Sequence, residues 1–301
     1  MKKFITLCMG FGFCCMMAFA QIQDSIPVAS GVLHYSIHGQ GQPVLLLSGG
    51  PGNSAEQLSA IVQRLSATNR CILLEQRGTG KSRIHPLDST TMNLKVAVQD
   101  ISRLMNHLDI SRITILGHSW GAILGMYFAT ENPKAVDRLV LIGSGPLDMA
   151  GYNLLEDNLM CRASKDEKLL LMEVEDSIRK MSVTREQLST YSRTMFRFFF
   201  YNPLTVDDSW EIIKCTTNAS THQLLSQDLA RINYDIKAGL AGLDIPILVL
   251  CGRQDPIGVF PSFEIKQLNK NAKISWIERS GHFPWAENPE PFYAELIRFL
   301  K

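Results

Sequence analysis

The pentapeptide Gly117-His118-Ser119-Trp120-Gly121 sets a serine between two glycines, directly after the apolar run Ile113-Thr114-Ile115-Leu116 and directly before Ala122-Ile123-Leu124-Gly125-Met126-Tyr127-Phe128-Ala129. The first run is β-type and the second reads as a helix. A serine at such a junction sits on a sharp strand-to-helix turn that lifts its hydroxyl clear of a sheet. Side chains flanking so strained a turn would strike the neighbouring strand and helix, so both flanking positions call for glycine. The G-x-S-x-G spacing alone is common. The strand before it and the helix after it make Ser119 a candidate nucleophile.

The order of the other segments fits that turn. From Gly31 to Leu141 strand-type and helix-type runs alternate: Val32 to His38, Val44 to Ser48, a helix over Ala55 to Ala67, then Cys71 to Glu75. In the next helix Ala97, Ile101, Leu104, Met105 and Leu108 recur at three and four residues, which gathers them on one buried face. Strand Ile113 to Leu116, the helix after Ser119 and strand Leu139 to Ile142 complete this part. Apolar strands separated by helices predict a mostly parallel sheet covered on both faces.

Between Pro146 and Ala241 the alternation stops and charged residues intersperse leucines and methionines, as in Lys168-Leu169-Leu170-Leu171-Met172-Glu173. This reads as a helical insertion over residues 146–241, and an insertion at that place forms a lid over the strand ends. The sheet pattern resumes with Ile247 to Leu250, a helix near Phe263 to Leu268, strand Ala272 to Ile277 and a last helix from Pro291 to Leu300. The sheet-forming core thus spans residues 21–145 and 242–301.

A formal net charge of +1 over 301 residues, with no long run of like charges, excludes the electrostatic footprint of a nucleic-acid or anionic-membrane binder. Partners are expected to be small molecules or short peptides. At the N-terminus Met1-Lys2-Lys3 is basic, Phe4 to Met17 is apolar and Ala18-Phe19-Ala20 is a small-x-small pattern. That is the plan of a secretory signal peptide cut before Gln21, with export to a periplasm or beyond and no stable membrane association afterwards. Its apolar core falls short of the ~20 residues of a spanning helix. Of the cysteines beyond it, Cys71 and Cys251 lie in apolar runs, whereas Cys161 and Cys215 both fall in the insertion, where a disulfide between them is open. No cysteine or histidine spacing suggests a metal site, and no cofactor is expected.

A serine hydroxyl needs a histidine to take its proton and a carboxylate to orient that histidine. Asp255 follows the strand Ile247 to Leu250, and His282, in Ser280-Gly281-His282-Phe283-Pro284, follows the strand Ala272 to Ile277. The order serine, acid, histidine, each after a strand, is the order this turn calls for. Two backbone N–H donors should face the developing oxyanion: that of Trp120, after the serine, and that of Gly50, in the glycine-rich loop Gly49-Gly50-Pro51-Gly52 after the early strand. His118 is expected to point away from the site and support packing in the elbow, and His222 to be an ordinary surface or loop residue.

These residues resemble the α/β-hydrolase fold over the whole chain beyond the leader. Within it, Gly49-Gly50-Pro51-Gly52, Glu75-Gln76-Arg77-Gly78-Thr79-Gly80-Lys81-Ser82 and Gly117-His118-Ser119-Trp120-Gly121 are similar to the proline iminopeptidase family of serine peptidases. The resemblance implies a mostly parallel sheet with a helical cap, and an enzyme that removes N-terminal proline or another residue from short peptides. Family members carry histidine and aspartate where this chain has Ser48 and Glu75. In the family, glutamates in the cap hold the substrate ammonium; by location alone Glu173, Glu175 and Glu211 are candidates. The aromatic residues Phe196, Phe198, Phe199, Phe200, Tyr201 and Trp210 could line an apolar pocket or form the cap's own core. Lining the site, they would suit an apolar ester as well as a prolyl ring, so an esterase is the alternative. A non-catalytic ligand-binding module is a remote one. Dehalogenase and epoxide-hydrolase chemistry is disfavoured, because it uses aspartate where this elbow has serine.

Overall fold

The computed structural model describes residues 22–203 and 206–301, so the expected leader lies outside the described residues. Eight strands form a single sheet: β1 (Ile22–Val28), β2 (Gly31–His38), β3 (Gln42–Leu47), β4 (Asn69–Leu74), β5 (Ile113–His118), β6 (Val136–Ile142), β7 (Ile247–Gly252) and β8 (Ala272–Ile277), in the order β1-β2-β4-β3-β5-β6-β7-β8. The β1–β2 hairpin and its pairing to β4 are antiparallel. From β4 to β8 every pairing is parallel. Every residue of β5 and β7 is buried, as expected of central strands covered on both sides.

Two apolar layers cover the sheet. On one face α2 (Leu94–His107) and α3 (Trp120–Glu131) pack Ile101, Leu104, Ile123 and Leu124 against Leu45, Ile115 and Val249. On the other, α1 (Ser59–Leu65) and α13 (Pro289–Leu300) pack Ile61, Leu65, Phe292 and Leu296 against Leu46, Leu116 and Leu248. The neighbouring residues Leu45 and Leu46 face opposite cores because strand side chains alternate. In α2 the expected stripe Ala97, Ile101, Leu104 and Met105 is buried, and the Asn93 side chain caps the helix by accepting from the Val96 N–H at 3.0 Å.

Between β6 and β7 the chain is helical: α4 (Met149–Asn153), α5 (Leu155–Met160), α6 (Lys165–Arg179), α7 (Arg185–Arg197), α8 (Val206–Ile213), α9 (Ala219–Arg231) and α10 (Lys237–Ala241). This segment is called the cap. Ser164 with Glu167 and Thr184 with Gln187 form capping boxes that start α6 and α7. After β7 come α11 (Val259–Leu268), α12 (Pro284–Glu287) and α13. Two element readings need correction. The helix expected over Ala55 to Ala67 is a 3-10 turn, Ala55–Leu58, followed by α1, and α11 begins four residues earlier than Phe263, at Val259.

Parallel pairing brings the C-terminal ends of β3, β5, β7 and β8 to one edge of the sheet. There lie the loops carrying Gly50, Ser119, Asp255 and His282.

Candidate active site

Ser119 sits at φ 54° and ψ −115°, a region that costs a non-glycine residue roughly 1–3 kcal/mol. Close packing around the bend holds it there. A Cβ on Gly117 would lie 2.2 Å from the Gly121 carbonyl oxygen, and one on Gly121 would lie 2.1 Å from the Leu47 carbonyl oxygen. The glycines are therefore demanded by backbone-to-backbone contact. The Ser119 N–H donates to the Ile142 carbonyl at 2.9 Å, and its own carbonyl accepts from Ala122 N–H at 3.0 Å as α3 begins.

Asp255 and His282 are both buried and joined. The His282 Nδ1–H donates to Asp255 Oδ2 at 2.9 Å and lies 3.1 Å from Oδ1, which also accepts the Ile257 N–H at 2.9 Å. That tautomer leaves Nε2 as a lone pair. Ser119 and His282 line one cavity, although among the described residues no hydrogen bond joins the hydroxyl to the ring. Such bonds are commonly long before substrate binds. Two glycines the sequence reading passed over make room for the pair. A Cβ on Gly143, after β6 at φ +49°, would lie 2.8 Å from Asp255 Oδ2 and 3.0 Å from His282 Nδ1, and one on Gly258 would lie 2.5 Å from Asp255 Oδ2.

The loop of Gly50 is tied on every side. Ser48 Oγ donates to the Asn53 carbonyl at 3.0 Å, the Gly49 N–H donates to Gln57 Oε1 at 2.8 Å, and Gln76 Nε2 donates to the Ser48 carbonyl at 2.9 Å. Gln76 Oε1 in turn accepts from the Trp120 indole N–H at 3.0 Å. Gly50 takes φ +118°, and a Cβ there would lie 2.7 Å from Gly52 N. Among the described residues neither the Gly50 N–H nor the Trp120 N–H has a protein acceptor, which leaves both available to a ligand. Glu75 accepts from the Ala55 N–H and from Thr79 Oγ1, each at 2.8 Å, and so buttresses the same loop.

The cavity, of about 840 Å³, lies between the strand ends and the cap. Phe196, Phe199 and Trp210 line it, whereas Phe198 and Phe200 are buried in the molecule's cores and Tyr201 is exposed. Of the charged residues in the wall, Asp207 is paired with Arg193 at 3.3 Å, and both side chains are largely exposed. Glu173, Glu175 and Glu211 do not line it: Glu173 faces solvent, Glu175 accepts from the Tyr191 hydroxyl at 3.2 Å and Glu211 pairs with Lys214 at 2.7 Å. Cys161 and Cys215 are both free; Cys161 is exposed, and Cys215 lines the cavity with burial pushing its thiol up to about 11.

The structure corrects the readings of two histidines. His118 does not point away from the site: its ring centroid is 4.6 Å from that of His282, and its Nε2–H donates to the His282 carbonyl at 3.0 Å. Complete burial holds its pKa well below the usual histidine range, so it packs behind His282 as a neutral ring. His222 lines the cavity beside the Gly50 loop, and burial lowers its pKa also. Its position in a helical insertion gave no sign of this.

Residues 42–289 match the family model of the alpha/beta hydrolase fold. The chain belongs to the α/β-hydrolase family. Its similarity to members is spread over most of its length. It is 27% identical over 274 residues to the proline iminopeptidase of Heyndrickxia coagulans, covering 87% of this chain and 92% of that one. It is 28% identical to a 2-hydroxy-6-oxononadienedioate/2-hydroxy-6-oxononatrienedioate hydrolase of Paraburkholderia xenovorans, covering 89% and 90%. A solved proline iminopeptidase-related protein of Thermus thermophilus superposes with a TM-score of 0.74 at 21% identity, covering 93% of this chain and 97% of that one. These members of the family are hydrolases.

Proposed function

We propose that this chain is a serine hydrolase that transfers an apolar, uncharged acyl group from a carboxylic ester to water. Ser119 Oγ attacks the ester carbonyl while His282 Nε2 takes its proton, and Asp255 stabilises the resulting imidazolium through Nδ1–H. The oxyanion of the tetrahedral intermediate accepts from the Gly50 and Trp120 N–H groups, each donor worth roughly a hundredfold to a thousandfold in rate. His282 then protonates the departing alkoxide as the acyl–oxygen bond breaks. In the second half, His282 takes a proton from water as it attacks the acyl-enzyme and returns it to Ser119 as the acid leaves.

The observation that carries the ester reading is the cavity wall. Phe196, Phe199, Trp210, Ile123, Leu159 and Ile257 offer an apolar surface, and the wall's one carboxylate outside the Asp–His pair among the described residues, Asp207, is exposed and neutralised by Arg193. An aminopeptidase must compensate a substrate ammonium that loses water on binding, and an exposed, already paired carboxylate does that poorly. The second reading, an aminopeptidase of the proline iminopeptidase type, is favoured by the three motif blocks and by the similarity to proline iminopeptidases. Export is part of the proposal, supported by the basic, apolar and small-residue plan of the first twenty residues.

The test uses the chain from Gln21 beside a Ser119→Ala control. Hydrolysis of short p-nitrophenyl esters is compared with that of prolyl and alanyl arylamides. Ester cleavage that vanishes in the control supports the first reading. Amide cleavage that vanishes on N-acetylation of the substrate replaces it with the second.

A further inference from the structure

The loops carrying the acid and the base are not held by the sheet alone. The Gln254 N–H donates to the Ser280 carbonyl at 3.0 Å, so the Asp255 loop and the His282 loop form one unit. A strap of the cap, Phe199 to Tyr201, lies across that unit, and each of its residues is bonded. The Phe199 carbonyl accepts the His282 N–H at 2.7 Å. The Phe200 carbonyl accepts from Arg162 Nη2 at 2.6 Å, and Arg162 Nη1 donates to the Gln254 carbonyl, one residue before Asp255, at 2.9 Å. The Tyr201 N–H donates to Glu287 Oε2 at 2.7 Å, while Glu287 Oε1 accepts the Gly281 N–H at 2.8 Å and the Phe283 N–H at 3.4 Å, on either side of His282.

The contact is close enough to need a missing side chain. A Cβ on Gly281 would lie 2.1 Å from the Phe199 carbonyl oxygen and 2.9 Å from the Tyr201 nitrogen. A strap seated this tightly is part of the site's frame. Hydrogen bonds from a charged group are stronger than neutral ones, and here the Arg162 guanidinium and the Glu287 carboxyl converge on two loops.

We propose that Arg162 and Glu287 are positioning residues for Asp255 and His282: through them the cap fixes the acid and base loops, rather than only closing over a finished site. Arg162 grips the strap and the acid loop with one guanidinium, and Glu287 grips the strap and the histidine loop with one carboxylate. The inference rests on the reading of Ser119, Asp255 and His282 as the catalytic set. A planar, two-pronged donor is required at residue 162 because it must reach two carbonyls at once. An acceptor with two oxygens is required at residue 287, since the amide nitrogen of a glutamine would face a backbone N–H.

The experiment compares Arg162→Gln, Arg162→Lys and Glu287→Gln with the unaltered chain on a p-nitrophenyl ester, measuring kcat, KM and thermal unfolding. In Arg162→Gln and Glu287→Gln, kcat is expected to fall about 10- to 100-fold with KM within about threefold, the cost of a reacting group displaced by an ångström or less. Arg162→Lys keeps the charge but cannot span both carbonyls, so it should lose kcat as well with KM held; it carries the test where Arg162→Gln does not fold. Folded variants with kcat within twofold of the unaltered chain would overturn the proposal. Full turnover in Ser119→Ala would instead overturn the catalytic set, so the two failures are distinguishable.

Discussion

Gln76 ties Trp120 to the Gly50 loop, the two proposed oxyanion donors, through one amide, accepting the Trp120 indole N–H at 3.0 Å while donating to the carbonyl of Ser48 at 2.9 Å. Trp120 follows Ser119, and Ser48 leads into the loop of Gly50. The amide therefore sets the spacing between two N–H groups that share no secondary structure. Gln76→Leu removes these bonds, with a third to Ser48 Oγ at 3.1 Å, and leaves a buried indole N–H and a buried carbonyl without that partner, each costing roughly 1–3 kcal/mol. The expected result is a fall in kcat of about 10- to 100-fold, with stability reduced by a few kcal/mol. Steady-state kinetics and urea unfolding of the variant check it; an unchanged kcat would show that the donor spacing does not depend on this amide.

Gly143 presents the second dependence. Its φ of +49° and the 2.8 Å from a would-be Cβ to Asp255 Oδ2 act together. Gly143→Ala should destabilise by about 1–2 kcal/mol through the left-handed backbone alone, and should lower kcat more than about tenfold by pushing Asp255 off His282. Gly242→Ala is the matched control, because the nearest atoms to its Cβ would be 3.5 and 3.8 Å away and its φ is −82°. That variant should remain within about 0.5 kcal/mol of the parent with kcat unchanged. Equal effects at the two positions would refute the local argument.

Arg77 and Asp100 form a two-pronged ion pair, Nε to Oδ2 at 2.6 Å and Nη2 to Oδ1 at 2.9 Å, with side chains 2% and 3% exposed. Burial pushes the Asp100 carboxyl up, and the two arginines at 77 and 103 push it back down. Asp100→Asn leaves the Arg77 charge buried beside a neutral amide, a change expected to cost about 3–5 kcal/mol. Urea unfolding at pH 7 measures it. Because Arg77 neighbours Gln76 in sequence, a folded Asp100→Asn variant should also lose activity; a loss of stability below about 1 kcal/mol would mean that the pair contributes little to the fold.

The sheet and its strand-end loops were legible because local chemistry dictates them. β3, β5 and β7 read as unbroken apolar runs since both faces are covered, and Gly117 and Gly121 read as elbow glycines because the turn forbids side chains. The pairing of Asp255 with His282 followed from strand order. What escaped was contact between distant segments. Gly143 was an ordinary glycine until Asp255 was placed against it, Gln76 was part of a motif block without a role, and Arg162 and Glu287, 125 residues apart in number, converge only through the strap at Phe199 to Tyr201. The cap was the least legible part: helical spacing marks which face is apolar, but not which wall of a cavity it forms. For that reason His222 reads as an ordinary loop residue, and location alone does not place Glu173, Glu175 or Glu211 against the cavity.

Glu287 carries the last prediction, which concerns stability rather than rate. Burial raises its carboxyl to about 7, opposed by the N–H donors of Tyr201, Gly281 and Phe283 and reinforced by the nearby Asp255 charge. In the unfolded chain the same group titrates near ~4.3. The folded state therefore holds a proton that the unfolded state has released, and stability falls with rising pH wherever that is so. The contribution is full below about 4.3, declines as pH rises through about 7, and is gone above it. Glu287→Gln has no such proton to lose. The difference in unfolding free energy between the parent and this variant, measured by urea at pH 5 and pH 8, should shift against the parent at the higher pH. Other titrating groups, present in both proteins, cancel in that difference. A difference that stays flat or changes in the parent's favour would show that Glu287 is already ionised at pH 5, and that its three N–H donors outweigh the cost of burying the charge.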